Sequence, residues 1–211
     1  MKFHWINKKN NKNFILFMNG WGMNQNVVRH LDCSGYDILE ADDYREVEFL
    51  FSDVDITGYE NKILVCWSMG AYVANLFIEN FKHFNKKIAI SATNKMIDNT
   101  YGIPQKIYDC TIRYFSDESA NKFIKNIFNN DSYDIEIERT TQELKAELIS
   151  IKNLKTDSEM IYDKVIIPLQ DKIVPSKNQL NYWKNKNTDI VKIESAHYVF
   201  NQYSSWREIV C

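Results

Sequence analysis

The chain of 211 residues has few of the residues that break or staple a fold: six glycines, three prolines and four cysteines. With so little glycine there is no G-x-G-x-x-G and no G-x-x-x-x-G-K-[ST], so neither nucleotide-phosphate motif is present. Cys33, Cys66, Cys110 and Cys211 make no C-x-x-C pair and no zinc-ligand spacing. The expectation is a set of reduced thiols in a cytoplasmic protein, with no metal and no cofactor. No apolar run is long enough to cross a bilayer, and none near Met1 suits a signal peptide, so no membrane partner is expected. Excess charge is also missing. Lys+Arg total 26 against 28 Asp+Glu, a net charge of −2, which gives no reason to invoke a nucleic-acid partner.

Core-forming residues are plentiful. A hydrophobic content of 45% with 14% aromatics excludes a disordered chain, and residues 1–211 read as one domain with a substantial core. Short β-like runs alternate with longer helical ones, the pattern of a mostly parallel sheet with crossover helices on both faces. The first clear strand is Phe14–Met18, apolar throughout and followed by the turn Asn19-Gly20-Trp21-Gly22. Tyr36–Leu39 reads as a short strand ending in an acidic loop, Glu40-Ala41-Asp42-Asp43. Lys62–Cys66, Lys87–Ser91, Lys164–Pro168 and Asp189–Ile193 complete the set, with Lys62–Cys66 expected at the centre. The stretch from about 105 to 154 breaks the alternation. Its apolar spacings, among them Phe123, Ile124 and Ile127, are helical, and it reads as a small helical cap inserted over the site.

Chemistry enters at Cys66-Trp67-Ser68-Met69-Gly70, between an apolar strand and a helix-like segment. A serine on a strand-to-helix turn is the context of a nucleophile elbow, here with Cys66 at the usual first glycine. Ser68 alone could equally be an N-cap for the helix that follows. A serine hydroxyl needs a general base, and the base needs an orienting group. Of four histidines only His197 lies in a loop after the last strand, while His83 sits at a polar helix end. Asp171 follows the strand before it; its alternatives are a turn aspartate or a helix cap near Ser176. Asp163 and Asp189 start strands, at the wrong end of the sheet. Ser, Asp, His is the chain order of the α/β-hydrolases, in which the amide after the nucleophile and one from an early βα loop hold the oxyanion. Those donors would be the Met69 and Trp21 amides.

Phe17-Met18-Asn19-Gly20-Trp21-Gly22-Met23-Asn24, Trp67-Ser68-Met69-Gly70, Asp171 and His197 together resemble the pimeloyl-[acyl-carrier protein] methyl ester esterases of biotin synthesis. The short chain, and Asn19 where His is more usual, resemble the compact BioG-type branch. The resemblance implies a compact α/β-hydrolase, hydrolysis of the carrier-bound methyl ester to the free ω-carboxylate, and an acyl-carrier protein as partner. It leaves the oligomeric state open. An acidic carrier would be met by a basic patch, for which Arg113, Lys122, Lys125, Arg139 and Lys145 are available. Interspersed Asp117, Glu118, Asp131, Asp134, Glu136 and Glu138 weaken that patch. A broad carboxylesterase or thioesterase would use the same three residues. A non-catalytic binding protein of this fold, or a transferase or lyase, is the remaining alternative.

Overall fold

The computed structural model describes residues 1–48, 54–128 and 138–211. Among the described residues seven strands form one sheet: β1 (Lys2–Asn7), β2 (Asn13–Met18), β3 (Tyr36–Asp42), β4 (Asn61–Trp67), β5 (Lys86–Ile90), β6 (Lys164–Pro168) and β7 (Asp189–Ile193). Their order is β1-β3-β2-β4-β5-β6-β7, so β4 is the middle strand. Every neighbouring pair is parallel except β1 with β3. Apolar side chains leave both faces. In β2, Phe14, Leu16 and Met18 pack into one core with Tyr44 and Phe81, whereas Ile15 and Phe17 pack into another with Val28, Phe200 and Trp206. A strand covered on both sides must be apolar at consecutive positions, which is why Phe14–Met18 was legible.

The helices are α1 (Met69–Ala74), α2 (Gln105–Arg113), α3 (Asp117–Ile127), α4 (Thr141–Asn153), α5 (Ser176–Trp183) and α6 (Trp206–Val210). The stretch from 105 to 154 is helical at α2, α3 and α4, between β5 and β6. Asp131, Asp134 and Glu136 lie outside the described residues. Ser116 and Thr140 start α3 and α4 with capping boxes, each closed by the residue three positions on.

Two expectations are corrected. The sheet begins before Phe14: β1 is an antiparallel edge strand whose alternating polar and half-buried positions carry little apolar signal. Glu40, Ala41 and Asp42 are not loop. They continue β3 and are buried, pairing with Phe17, Met18 and β1. Charges read as solvated because their partners, such as Asn19 for Glu40 and His4 for Asp42, come from other strands and loops.

Candidate active site

The turn after β4 is tight because nothing else fits. Ser68 sits at φ +53° and ψ −123°, a region that L side chains rarely occupy and that clusters at functional turns. Its side chain makes no capping bond to α1, so the capping alternative is not what the serine does. A Cβ on Gly70 would lie 2.2 Å from the Met18 carbonyl oxygen and 2.7 Å from that of Asn19. Only glycine lets α1 start this close to the end of β2. Cys66, at the position commonly held by glycine, is fully buried, and burial pushes its thiol up to about 12.

Asp171 and His197 emerge from the loops after β6 and β7, at the same carboxyl edge of the sheet as Ser68. His197 Nε2 stands 2.9 Å from Ser68 Oγ, and His197 Nδ1 stands 2.8 Å from Asp171 Oδ2. A carboxylate only accepts, so Nδ1 carries the proton and Nε2 presents its lone pair to the Ser68 hydroxyl. Asp171 is held by three further donors: the Ile173 and Val174 amides on Oδ1 at 2.8 and 2.9 Å, and Gln179 Nε2 on Oδ2 at 2.8 Å. The His197 carbonyl accepts from Ser91 Oγ at 2.8 Å and from Trp67 Nε1 at 3.2 Å. The Trp67 ring lies 5.6 Å from the imidazole, centroid to centroid. All three residues are buried, His197 to 1% exposure.

The loop Asn19–Gly22 faces this row. Asn19 Oδ1 accepts from the Gly20 amide at 2.7 Å, and Asn19 Nδ2 donates to Glu40 Oε1 at 2.5 Å. Burial, and then Asp42 nearby, push the Glu40 carboxyl up to about 8. Gly22 takes φ +76°, which turns the chain back into the core. The Trp21 indole donates to the Leu144 carbonyl at 3.0 Å and packs edge-on against Phe115 and Phe123. Met69 opens α1, so its N–H is among those that a helix leaves without an intrahelical acceptor. Gly20, Trp21, Ser68, Met69 and His197 share one cavity of about 350 Å³, roofed by residues of α2 and α3 such as Tyr108 and Phe123.

Sequence reasoning thus brought Ser68, Asp171, His197, Trp21 and Met69 to one place, and it missed Gln179, Ser91 and Trp67 as their supports. Gln179 lies in the middle of α5 and Ser91 in the turn after β5, where sequence carries no sign of a hydrogen-bond partner. The other histidines stand elsewhere: His83 is exposed, His30 meets the Phe200 carbonyl and His4 meets Asp42. Asp163 accepts from the Lys87 amide at the far end of β6. Of the basic residues, Arg113, Lys122 and Lys125 are exposed, but Arg139 is paired with Glu147 and its side chain is 13% exposed, so it belongs to the interior rather than to a docking patch. Among the described residues no helix is long and apolar enough to cross a membrane.

With this geometry in hand, the likeness to known proteins is informative. A family model described as pimeloyl-ACP methyl esterase BioG matches residues 1–209. A malonyl-[acyl-carrier protein] O-methyltransferase of Bacteroides fragilis is 30% identical over 196 residues, covering 89% of this chain and 40% of the relative. The chain therefore spans less than half the length of that relative. An uncharacterized protein of Haemophilus influenzae is 26% identical over 204 residues, 92% of this chain and 93% of its own. Among solved structures, BioG from Haemophilus influenzae superposes with a TM-score of 0.88 over 100% of both chains at 25% identity. A lipase-esterase related protein from Clostridium acetobutylicum gives 0.68 over 93% of this chain and 92% of its own at 14% identity, a likeness of fold. The fold is that of a compact α/β-hydrolase, with a mostly parallel sheet and one antiparallel edge strand.

Proposed function

Because the chain belongs to the BioG family of pimeloyl-ACP methyl esterases, we propose that it is a serine carboxylesterase that removes the methyl ester from a pimeloyl group carried by acyl-carrier protein. The observation that carries the mechanism is the unbroken row from Asp171 Oδ2 through His197 to Ser68 Oγ, at 2.8 and 2.9 Å. Ser68 Oγ attacks the ester carbonyl while His197 Nε2 takes its proton. The developing oxyanion is held by the Trp21 and Met69 amides, and Asp171 stabilises the imidazolium. As the tetrahedral intermediate collapses, His197 returns the proton to the methoxide, which leaves as methanol. Water, activated by the same imidazole, then frees the acid from Ser68. The helices α2–α4 serve as the cap, and the mainly apolar cavity beneath them receives the acyl chain. The Bacteroides relative supports the substrate class. It is named as an O-methyltransferase of malonyl-[acyl-carrier protein], a carrier-bound acyl group like the one proposed here.

The deciding experiment is the product mass after incubation with pimeloyl-carrier protein methyl ester, for wild type and for Ser68→Ala. Loss of one methyl group that depends on Ser68 is expected. Cleavage of the carrier thioester instead would make the protein a thioesterase. Full activity in Ser68→Ala would sink the serine mechanism.

A further inference from the structure

Within α4 the inward-facing residues are Leu144, Glu147, Leu148 and Ile151, so one ionisable group sits in an otherwise apolar row. Glu147 is 0% exposed. A buried carboxylate is costly unless its oxygens are matched by donors. Oε1 accepts from the Tyr44 amide at 2.8 Å. Oε2 accepts from the Gly22 amide at 3.3 Å and from Arg139 Nη1 at 2.9 Å. Asp43 lies behind Arg139 at 3.5 Å, and Arg45 bridges Asp43 to Glu143 on α4. One carboxylate thus ties together the loops that follow β2 and β3.

The tie reaches the reacting centre through the backbone. The Gly22 N–H belongs to the peptide plane that follows Trp21, so anchoring it to Glu147 sets the rotation about the Trp21 Cα–C bond. The Trp21 indole is anchored on the same helix, at the Leu144 carbonyl. The Gly20 carbonyl, which shares a peptide plane with the Trp21 N–H, accepts from the Met23 amide at 3.2 Å, so the plane that carries that N–H is held as well. We propose that Glu147 is the positioning residue of the oxyanion loop, holding the Trp21 amide toward Ser68 through the Gly22 amide, an assignment that rests on the serine mechanism proposed above. On this proposal α4 is a fixed strut of the catalytic centre.

Glu147→Met removes both acceptors and so cuts the Gly22 tie, whereas Glu147→Gln retains one acceptor where the carboxylate presents two. Turned with its oxygen toward Gly22 and Arg139, the glutamine keeps the Gly22 tie and leaves only the Tyr44 amide facing an NH₂ donor. Reactive Ser68 is first counted in each protein by the extent of labelling with a fluorophosphonate. Per labelled site, Glu147→Met is expected to lower kcat roughly ten- to a hundredfold, below the full loss of an oxyanion donor, with KM changed less than about threefold, and Glu147→Gln to restore kcat to within about threefold of wild type. Affinity for a trifluoromethyl ketone, which forms a tetrahedral adduct on the serine, should fall by the same factor as kcat. Glu147→Met also strips Arg139 of its partner, so its count of labelled sites is expected to fall further than that of Glu147→Gln. Unchanged kcat per site in Glu147→Met, or an equal fall in Glu147→Gln, would overturn the assignment. So would loss of all labelling in Glu147→Met, which would make Glu147 a folding residue. An unlabelled Ser68 in the wild-type protein would strike at the serine mechanism and not at Glu147.

Discussion

Replacing Glu40 by glutamine should stabilise the protein in proportion to pH. Glu40 is 1% exposed on β3, accepting from Asn19 Nδ2, and burial together with Asp42 pushes its carboxyl from 4.5 up to about 8. Between those two values the native chain keeps a proton that the unfolded chain has released. Native protein then binds more protons than unfolded, so stability falls as pH rises through that window. Each pH unit is worth about 1.4 kcal/mol, so the group costs about 3 kcal/mol by pH 7 and on the order of 5 kcal/mol above pH 8. Glutamine reproduces the protonated acid: its amide oxygen still accepts from Asn19, and it does not titrate. Urea unfolding, followed by tryptophan fluorescence from pH 5 to 8.5, measures the difference between Glu40→Gln and wild type. It should be near zero at pH 5 and grow to several kcal/mol in favour of glutamine by pH 8. Parallel stability curves across that range would refute the reasoning, because they would mean that Glu40 ionises in the fold as it does in water.

Further outcomes follow from the same geometry. Asp171→Asn should lower kcat by about 10⁴ with little loss of stability, since His197 loses its tautomer and orientation; single-turnover kinetics would detect it, and a loss below tenfold would remove Asp171 from the row. Gly70→Ala places a Cβ 2.2 Å from the Met18 oxygen and should cost about 3 kcal/mol or more, read as a lowered urea midpoint; an unchanged midpoint would deny the close approach of α1 and β2. A disulfide-exchange reagent should modify exposed Cys110 and Cys211 quickly and reach Cys66 only on unfolding. Cys110 lines the site cavity, so a bulky maleimide there should inhibit, and Cys110→Ser should abolish that inhibition.

Legibility in the sequence tracked the range of the interaction responsible. The parallel strands were readable because burial on both faces makes every residue of a run such as Ile63-Leu64-Val65-Cys66 apolar. The row Ser68, His197, Asp171 was readable because each member sits at the end of a strand, in a fixed order along the chain. β1 was not, because its pairing with β3 spans more than thirty residues and its own pattern is half polar. Glu40 and Asp42 misled for the same reason: a charge looks solvated until its distant partner is known. Arg139 was read as a surface cation, and it is instead the counter-charge of a buried glutamate on the next helix.

By itself the sequence determined the α/β alternation, the central strand, and the three residues, Ser68, Asp171 and His197, that the strand ends bring together. Those are consequences of local sterics and of burial, which each residue carries wherever the chain goes. Only the tertiary structure decided which groups hold the meeting in place: Gln179 on Asp171, Ser91 and Trp67 on His197, Asn19 and Glu147 on the loop that faces Ser68. A buried hydrogen bond has no periodicity and no preferred spacing along the chain. Its partners are chosen by proximity after folding, and so they are visible only there.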